Sequence, residues 1–590
     1  MKKILALVLA LVLCVSLFAC GKKEENKDAG AKTLASLSVC LASEPDTLDP
    51  ALNSAVDGAT MVSHLFSGLA KWAQDKDGNL VIVADSAKEL VEGVVNEDGT
   101  VTYTYTLRDG LKWSDGKAVT AGDFEFAWKR AASTELAADY GYMFEQVKGY
   151  PDELAVTAKD EKTLEVVLNN AVAYWNELLA FPTYFPVRED VVANESWATD
   201  PATYICNGAY LMESWEHDSV ITLKKNPNYV DAATITLETL KCYLSDDTNN
   251  MLTNFKNGEW LMIDDVPSNE MAALKKDYPS EYRVVGQIGT YYVNWNVNEN
   301  ILPKDSKLTG VEAEKAQAEI RAALGLLFDR QYICDEIGQA GQVPAPSFVA
   351  MGMTDTDGNE FYKNAGTSDS FDGYYNVAAV ESNFNSAVET LKKYYKYDEA
   401  SKKFTDFPTI TYLYNTSDGH KAIGEYLAGA LAAVGITMKL ENQEWNTFLN
   451  TRKEGDYSVA RNGWLADYND PICFLDMWTS GSGNNDVQFG KDAHASLKMY
   501  SLDLTALGYE TKVENGTWAE TYDVLINTIK SETDNTKRYA LMHIAEDMLM
   551  STGCITPLYY YTDVFMIDDS VDGFFCNPLG YKYFMYCTAK

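Results

Sequence analysis

PTITYLYNTSDGHKAIGEYLAGALAAVGITMKL, residues 408–440, decides the fold. Thr409 to Tyr414 reads as a strand, and Asn415 to His420 as a polar loop. Ile423, Tyr426, Leu427, Ala430, Leu431 and Val434 then recur at helical spacing, and Gly435 closes the helix. Ile436, Met438 and Leu440 alternate as a second strand. The pattern predicts a right-handed βαβ crossover with parallel strands. A helix from Trp445 to Arg452 and a strand from Tyr457 to Asn462 follow, and after them Gly463-Trp464-Leu465-Ala466-Asp467-Tyr468-Asn469-Asp470-Pro471. Ligands of open α/β sheets bind beyond the carboxyl ends of strands. The loops at 415–420 and 463–470 both occupy such positions, so they point to one crevice.

Upstream, SLSVCLA within 34–70 reads as a strand. Asn96-Glu97-Asp98-Gly99 is a hairpin turn leading into the alternating run Val101 to Leu107. Thr120 precedes a helix with Phe124, Trp128 and Ala131 on one stripe. Residues 310–337 read as one long amphipathic helix, with Ile320, Leu324, Leu327 and Phe328 on its apolar face.

The amino terminus sets the compartment. Lys2 and Lys3 precede an apolar run, Ile4 to Ala19, that suits a signal peptide and is short for a membrane span. Leu17-Phe18-Ala19-Cys20-Gly21 resembles a bacterial lipobox, which implies cleavage at Cys20 and lipidation of its thiol. Phe18 is larger than the residue usual at its place. Residues 21–33 are charged and almost free of large apolar side chains, hence a tether. The chain is expected to be exported and held at the outer face of the cell membrane by lipid.

About 555 residues follow the tether, more than one hydrophobic core holds, so at least two lobes are expected. A formal charge of −37 repels nucleic acid and anionic lipid. The 37 tyrosines and 12 tryptophans are of the kind that ligand clefts use, since a rigid ring gives large area at low entropy cost, and most of them read as ordinary core and surface aromatics. Ten cysteines carry no C-x-x-C spacing, which argues against zinc. Disulfides and buried free thiols read equally well. Asp75-Lys76-Asp77-Gly78-Asn79 and Asp355-Thr356-Asp357-Gly358-Asn359 place glycine too early for a calcium loop and read as turns. No metal and no cofactor is expected.

In order along the chain stand Glu44-Pro45-Asp46-Thr47-Leu48-Asp49-Pro50, Leu65-Phe66-Ser67-Gly68-Leu69, and Leu107-Arg108-Asp109-Gly110-Leu111-Lys112-Trp113-Ser114-Asp115-Gly116-Lys117. Asn207-Gly208-Ala209-Tyr210, Lys225-Asn226-Pro227-Asn228-Tyr229, Asn442-Gln443-Glu444-Trp445 and the 461–471 segment follow. Through these the mature chain resembles the oligopeptide-binding proteins of bacterial ABC importers, the family-5 extracellular solute-binding proteins. The resemblance implies an α/β fold of the periplasmic-binding-protein type II class, cluster C. Two lobes with mixed sheets, joined by two crossing strands, close on an extended peptide. The crossings are expected near Gly289–Asn296 and Ile555–Phe565. Lobe I is expected over 34–290 and 555–590, with an extra subdomain over about 70–204, and lobe II over 291–554. Residues 354–385 and about 501–525 look like acidic surface insertions. Trp260 and Leu261 depart from the family's pattern.

The same resemblance implies site residues. A peptide's α-ammonium needs a buried acid, and Asp467 holds the matching position, or else is a helix-capping aspartate. Arg461 would keep Asp467 ionised or meet a peptide carboxylate, or else is a solvated strand residue. Arg452 is its neighbouring cation. His420 matches a histidine that can meet the ligand's carboxyl end, and equally reads as a surface residue at a helix start. Trp464, Trp445 and Phe126 match aromatic pocket walls, the last two reading equally as core. Asp264 and Asp265 would favour basic peptides or sit in an exposed turn. The main chain near Gly463 and Leu465 would take the peptide by strand addition. The implied protein is a monomeric binding protein, not an enzyme, that delivers oligopeptides to ABC importer permease subunits. A same-fold receptor for an oligosaccharide, a nickel chelate or a signalling peptide is the nearer alternative. A secreted hydrolase is the more distant one, and neither G-x-S-x-G nor H-E-x-x-H is present.

Overall fold

The computed structural model describes residues 32–363 and 373–590. The leader over 1–20, Cys20 and the tether up to residue 31 lie outside the described residues. Lys32 and Thr33, assigned above to the tether, instead begin strand β1 (Lys32–Cys40) and pair with Ala589 and Thr588. The ladder with the carboxyl-terminal residues satisfies their backbone groups, so the extended chain starts earlier than its composition suggests.

The first half supplies helix α1 (Val56–Leu65), helix α2 (Ala121–Ala132), and strands β2 (Tyr210–Glu216), β3 (Val220–Lys225), β4 (Leu237–Tyr243) and β5 (Met262–Ile263). Next come the long strand β6 (Tyr282–Trp295) and helix α3 (Gly310–Gly325). The second half contributes β7 (Ile410–Asn415), α4 (Asp418–Ala433), β8 (Met438–Gln443), α5 (Trp445–Glu454) and β9 (Val459–Leu465). Helix α6 (Asn535–Met550) and the long strand β10 (Ile555–Ile567) complete the frame.

The β7–α4–β8 unit is the expected crossover, with β7 and β8 parallel from Ile410↔Met438 to Asn415↔Gln443. Ser417 caps α4, its side chain accepting the His420 N–H. Ile423, Leu427 and Leu431 bury the helix stripe. Gly435 takes φ +85° just beyond it, a backbone state that glycine adopts without steric cost.

Sheet order explains how two halves become one molecule. The strands run β8-β7-β9-β6-β10-β5-β1-β4-β3-β2. β6 and β10 are antiparallel neighbours of 14 and 13 residues, longer than ordinary strands. Their length lets β6 pair with β9 through Gly289–Trp295, while the far end of β10 pairs with β5. They are the two crossing strands, and their ladder shifts register between Gly286 and Thr290 and again between Tyr291 and Tyr292. An additional four-stranded antiparallel sheet from Val94–Val95, Val101–Thr106, Val156–Ala158 and Thr163–Leu168 packs with α2. Thr120 and Asp123 form the capping box of α2, and Phe124, Trp128 and Ala131 are buried on it.

Three expectations change. The helix expected over 310–337 stops at Gly325, although its four apolar residues are buried. Buried Arg330 donates to the carbonyls of Gly325, Phe328 and Pro557, and Asp329 caps a new turn by accepting the Tyr332 N–H. The 501–525 segment is a hairpin, Tyr500–Asp503 with Lys512–Gly516, followed by a helical turn that buries Trp518 and Tyr522. The 354–363 part of the other insertion packs inward, with Phe361 stacked 3.9 Å from His543. In both, apolar rings hold polar chain against the core. Residues 364–372 of that insertion lie outside the described residues. The eight cysteines from Cys40 to Cys587 are free thiols, all but Cys576 buried.

Leu427 anchors α4 with no exposure. Leu427→Ala is expected to lower stability by about 2–5 kcal/mol, read as a shift of the urea midpoint. Lys421→Ala on the exposed face of the same helix should stay within about 0.5 kcal/mol. Equal shifts for the two variants would contradict this packing.

Candidate functional site

Beyond the carboxyl end of β9 lies a cavity of ≈ 380 Å³, within the range of ordinary ligand sites. Its walls come from the start of α1, from Tyr140 and Phe181, from α5, from Arg461 to Asp467, and from Leu579 to Lys582. Asp467, Trp464, Arg461, Trp445, Arg452, Asp264, Gly463 and Leu465 all line it.

Asp467 sits just past β9, where Ala466 N–H donates to the Ile288 carbonyl of β6. Three residues on, Asp470 caps a short turn and receives two bonds from Arg538 of α6, at 2.6 and 2.8 Å. That buried pair fixes the loop. Asp467 is 8% exposed. Its Oδ1 accepts the Tyr140 hydroxyl at 3.0 Å, while Oδ2 is buried without a hydrogen-bond partner and no cation lies within ion-pair distance among the described residues. Burial pushes its carboxyl well above the ordinary carboxylate range, and the charge of Asp476 adds to this. Aromatic rings enclose it. Tyr140 packs edge-on to Phe181 at 4.9 Å and 6.2 Å from Trp464. The Trp464 indole N–H is held by the Cys473 carbonyl.

Arg461 is the opposite case. It is buried, and no carboxylate pairs with it among the described residues. Tyr291, Trp445 and Phe448 rings lie 5.5–5.8 Å from its guanidinium. The strand from Arg461 to Leu465 alone spans roughly 13 Å. Asp467 takes its influences from Tyr140 and Asp476, so Arg461 does not keep it ionised, and the solvated-strand alternative also fails. Arg452 is paired with Asp486 at 3.6 Å and is no free cation. His420 stands behind Arg461 and does not line the cavity. Its Nε2 accepts from Arg461 at 2.8 Å, and burial together with that charge pushes the imidazole well below the ordinary histidine range. A neutral ring in that position meets no carboxylate as a cation.

Gly463 and Leu465 lie inside β9, not in a loop, paired with Tyr291 and Gly289 of β6. On the other edge β7 pairs only as far as Ala460, so the backbone from Arg461 to Leu465 has no strand beside it among the described residues. A side chain at position 463 would collide with the Tyr561 hydroxyl, which explains glycine there. Phe126 is not in the site. Two residues after buried Phe124, it turns to the far side of α2 and packs half-buried on the outer core. Asp264 is paired with Lys582 at 2.6 Å, and Lys582 with Asp563 at 2.8 Å, so it is neither an exposed turn residue nor a lone acid. Asp265 does not line the cavity, and its carboxylate accepts the Val266 N–H. Tyr140, Phe181, Tyr561 and Asp57 belong to the cavity but stand in no motif that marks them.

Contacts also join the two halves of the chain around the cavity. Lys453 bridges Asp139 at 2.6 Å and Ser54 at 3.0 Å. Asn469 N–H donates to Glu177, and Tyr174 stacks on Tyr468 at 4.4 Å.

The family model described as bacterial extracellular solute-binding proteins, family 5 middle, matches residues 83–486. The chain is 31% identical to the oligopeptide-binding protein OppA of Bacillus subtilis, with 99% of each covered. It is 30% identical to the periplasmic oligopeptide-binding protein OppA of Salmonella typhimurium, covering 90% of this chain and 88% of the relative. Among solved structures, the murein tripeptide binding protein MppA of Escherichia coli superposes with a TM-score of 0.77 at 25% identity, covering 94% and 98%. The unliganded open form of MppA gives 0.56 at 25% identity, covering 95% and 99%. The present arrangement is therefore far from that open form.

Arg538→Met leaves Asp470 buried and unpaired, and should cost about 3–5 kcal/mol in urea unfolding. Adding Asp470→Asn should recover part of that loss, because no lone charge then remains. A double variant less stable than the single one would contradict the role of this pair.

Proposed function

The chain belongs to family 5 of the bacterial extracellular solute-binding proteins, and from that premise we propose that its cleft captures extended oligopeptides by their free amino terminus and hands them to an ABC importer. The observation that carries this reading is Asp467 Oδ2, a buried carboxylate oxygen with no partner beside a cavity. A peptide α-ammonium supplies what the site lacks: three donors and a positive charge. In a closed cleft, away from bulk water, the pair is stronger than on a surface.

The rest of the peptide is served by neighbouring groups. The open edge of β9 offers main-chain bonds independent of ligand sequence. Arg461, the unpaired cation further down the same strand, is the partner for a carboxylate. Trp464 and Trp445 are flat walls that accept varied side chains. A neutral oligosaccharide carries no cation for Asp467, which speaks against that alternative. The relatives' names are those of binding proteins, which supports binding without catalysis. A signal peptide, cleavage at Cys20 and lipid attachment there would hold the protein at the outer face of the membrane. This anchoring rests on the lipobox-like sequence alone. Among the described residues no helix is long and apolar enough to cross a membrane. The lobe limits proposed from sequence, 34–290 with 555–590 against 291–554, are supported by a sheet that passes between the halves through β6 and β10. A monomer is proposed with them.

Asp467→Asn is expected to weaken binding of a free-amine tetrapeptide by about 2–5 kcal/mol in titration calorimetry. N-acetylation of the same peptide should weaken binding to the unaltered protein comparably, and change little for the variant. Equal affinity for acetylated and free peptides would overturn the assignment, as would an undiminished Asp467→Asn.

A further inference from the structure

Several residues between Asp139 and Glu177, in the first half of the chain, reach across to the second half. Asp139 meets Lys453, Tyr140 meets Asp467, Tyr174 stacks on Tyr468, and Glu177 accepts the Asn469 N–H. Glu145 and Asn170 both meet Lys530. This stretch is built onto the additional four-stranded sheet. Val147, just past the turn Gly141–Gln146, bridges Leu168 at the end of strand Thr163–Leu168. The Trp175 indole N–H donates to the Tyr105 hydroxyl of strand Val101–Thr106 at 2.8 Å.

The Lys530 contact stands apart from the cavity, since Lys530, Glu145, Asn170 and Asp476 are not among the residues that line it. Lys530 belongs to the helix Val524–Ser531, and its side chain is 7% exposed. Its Nζ donates to Glu145 at 2.8 Å across the halves and lies 3.3 Å from Asp476 within the second half. The Tyr142 ring is 5.7 Å from the same ammonium, and the Asn170 amide donates to the Lys530 carbonyl at 2.9 Å. A buried ammonium requires a carboxylate beside it. Asp476 supplies one from the same half, so the Lys530 charge is met without Glu145. Glu145 adds a second carboxylate from the other half. A contact that exists in one arrangement of the halves and touches no ligand shifts the population of that arrangement. It then changes the apparent affinity for every ligand by a common factor.

We propose that the part of the chain carrying the additional sheet is a clamp, in which Glu145 engages Lys530 when the halves meet and so sets the affinity for all peptides alike. This rests on the reading of the cavity as a peptide site. Glu145 is the member to change, because Lys530 also neutralises Asp476, whose charge bears on Asp467. In Glu145→Gln the Kd of free-amine tetrapeptides of different sequence should rise by one common factor, about five- to tenfold. The ratio between free and N-acetylated peptides should stay as in the unaltered protein. Stopped-flow measurement should place the change in faster dissociation. The urea midpoint of the ligand-free variant should stay close to that of the unaltered protein, because Lys530 keeps Asp476. Asn170→Ala should weaken the same peptides by a smaller common factor, and the double variant should bind more weakly than either single one. Unchanged affinity in Glu145→Gln and in the double variant overturns the clamp while leaving the peptide reading standing. A loss that differs from peptide to peptide, or that follows a fallen urea midpoint, also overturns it. Failure of every peptide to bind the unaltered protein overturns the peptide reading and this inference together.

Discussion

A carboxylate buried with one hydrogen bond, and with no cation among the described residues, is the constraint around which this structure is organised. Isolated ionised groups are costly to bury, and proteins neutralise them or provide a partner. Among the described residues Asp467 has only the Tyr140 hydroxyl, and burial raises its carboxyl. The surroundings hold it in that condition. β9 carries it to the cavity, the Ile288 carbonyl fixes the residue before it, and Arg538 grips Asp470 three residues later. Each of these bonds joins the loop to a different part of the scaffold, so the carboxylate cannot turn outward to water without loosening several elements.

The crossing strands make that burial conditional. β6 and β10 bridge the halves, and polar contacts from Lys453 to Asp139 and from Asn469 to Glu177 join them together with the stack of Tyr174 on Tyr468. Such contacts each contribute modestly. On the proposed reading, the buried acid awaits a ligand that neutralises it. On that reading closure and ammonium binding favour one another, because the ion pair gains strength as water leaves. The distance from the open form of MppA in overall superposition agrees with a closed arrangement.

Much of this was legible in the sequence, for physical reasons. The β7–α4–β8 crossover announced itself because its periods switch cleanly from two to helical and back. Asp467, Trp464 and Arg461 line one cavity, as expected, because they share one strand and its following loop, so their proximity is local. Tyr140 was not, since it reaches Asp467 from 327 residues away through tertiary packing. Phe126 was misplaced for the reverse reason: a helix rotates by about 100° per residue, so a position two away from the buried stripe faces elsewhere. Asp264 reads as a free acid until the fold brings Lys582 against it. The break at Gly325 follows from Arg330, whose bonds to Gly325, Phe328 and Pro557 no helical periodicity records. The tether's last two residues became strand because their partners lie at the other end of the chain.

The central claim is a contact between one carboxylate oxygen and one ligand nitrogen. A crystal structure of the protein with a free-amine oligopeptide tests it without intermediaries. The account predicts the ligand's terminal nitrogen about 2.7–2.9 Å from Asp467 Oδ2, with Tyr140 still on Oδ1. A bound peptide whose amino terminus lies elsewhere, with Asp467 Oδ2 left unpaired or satisfied by water, would contradict it.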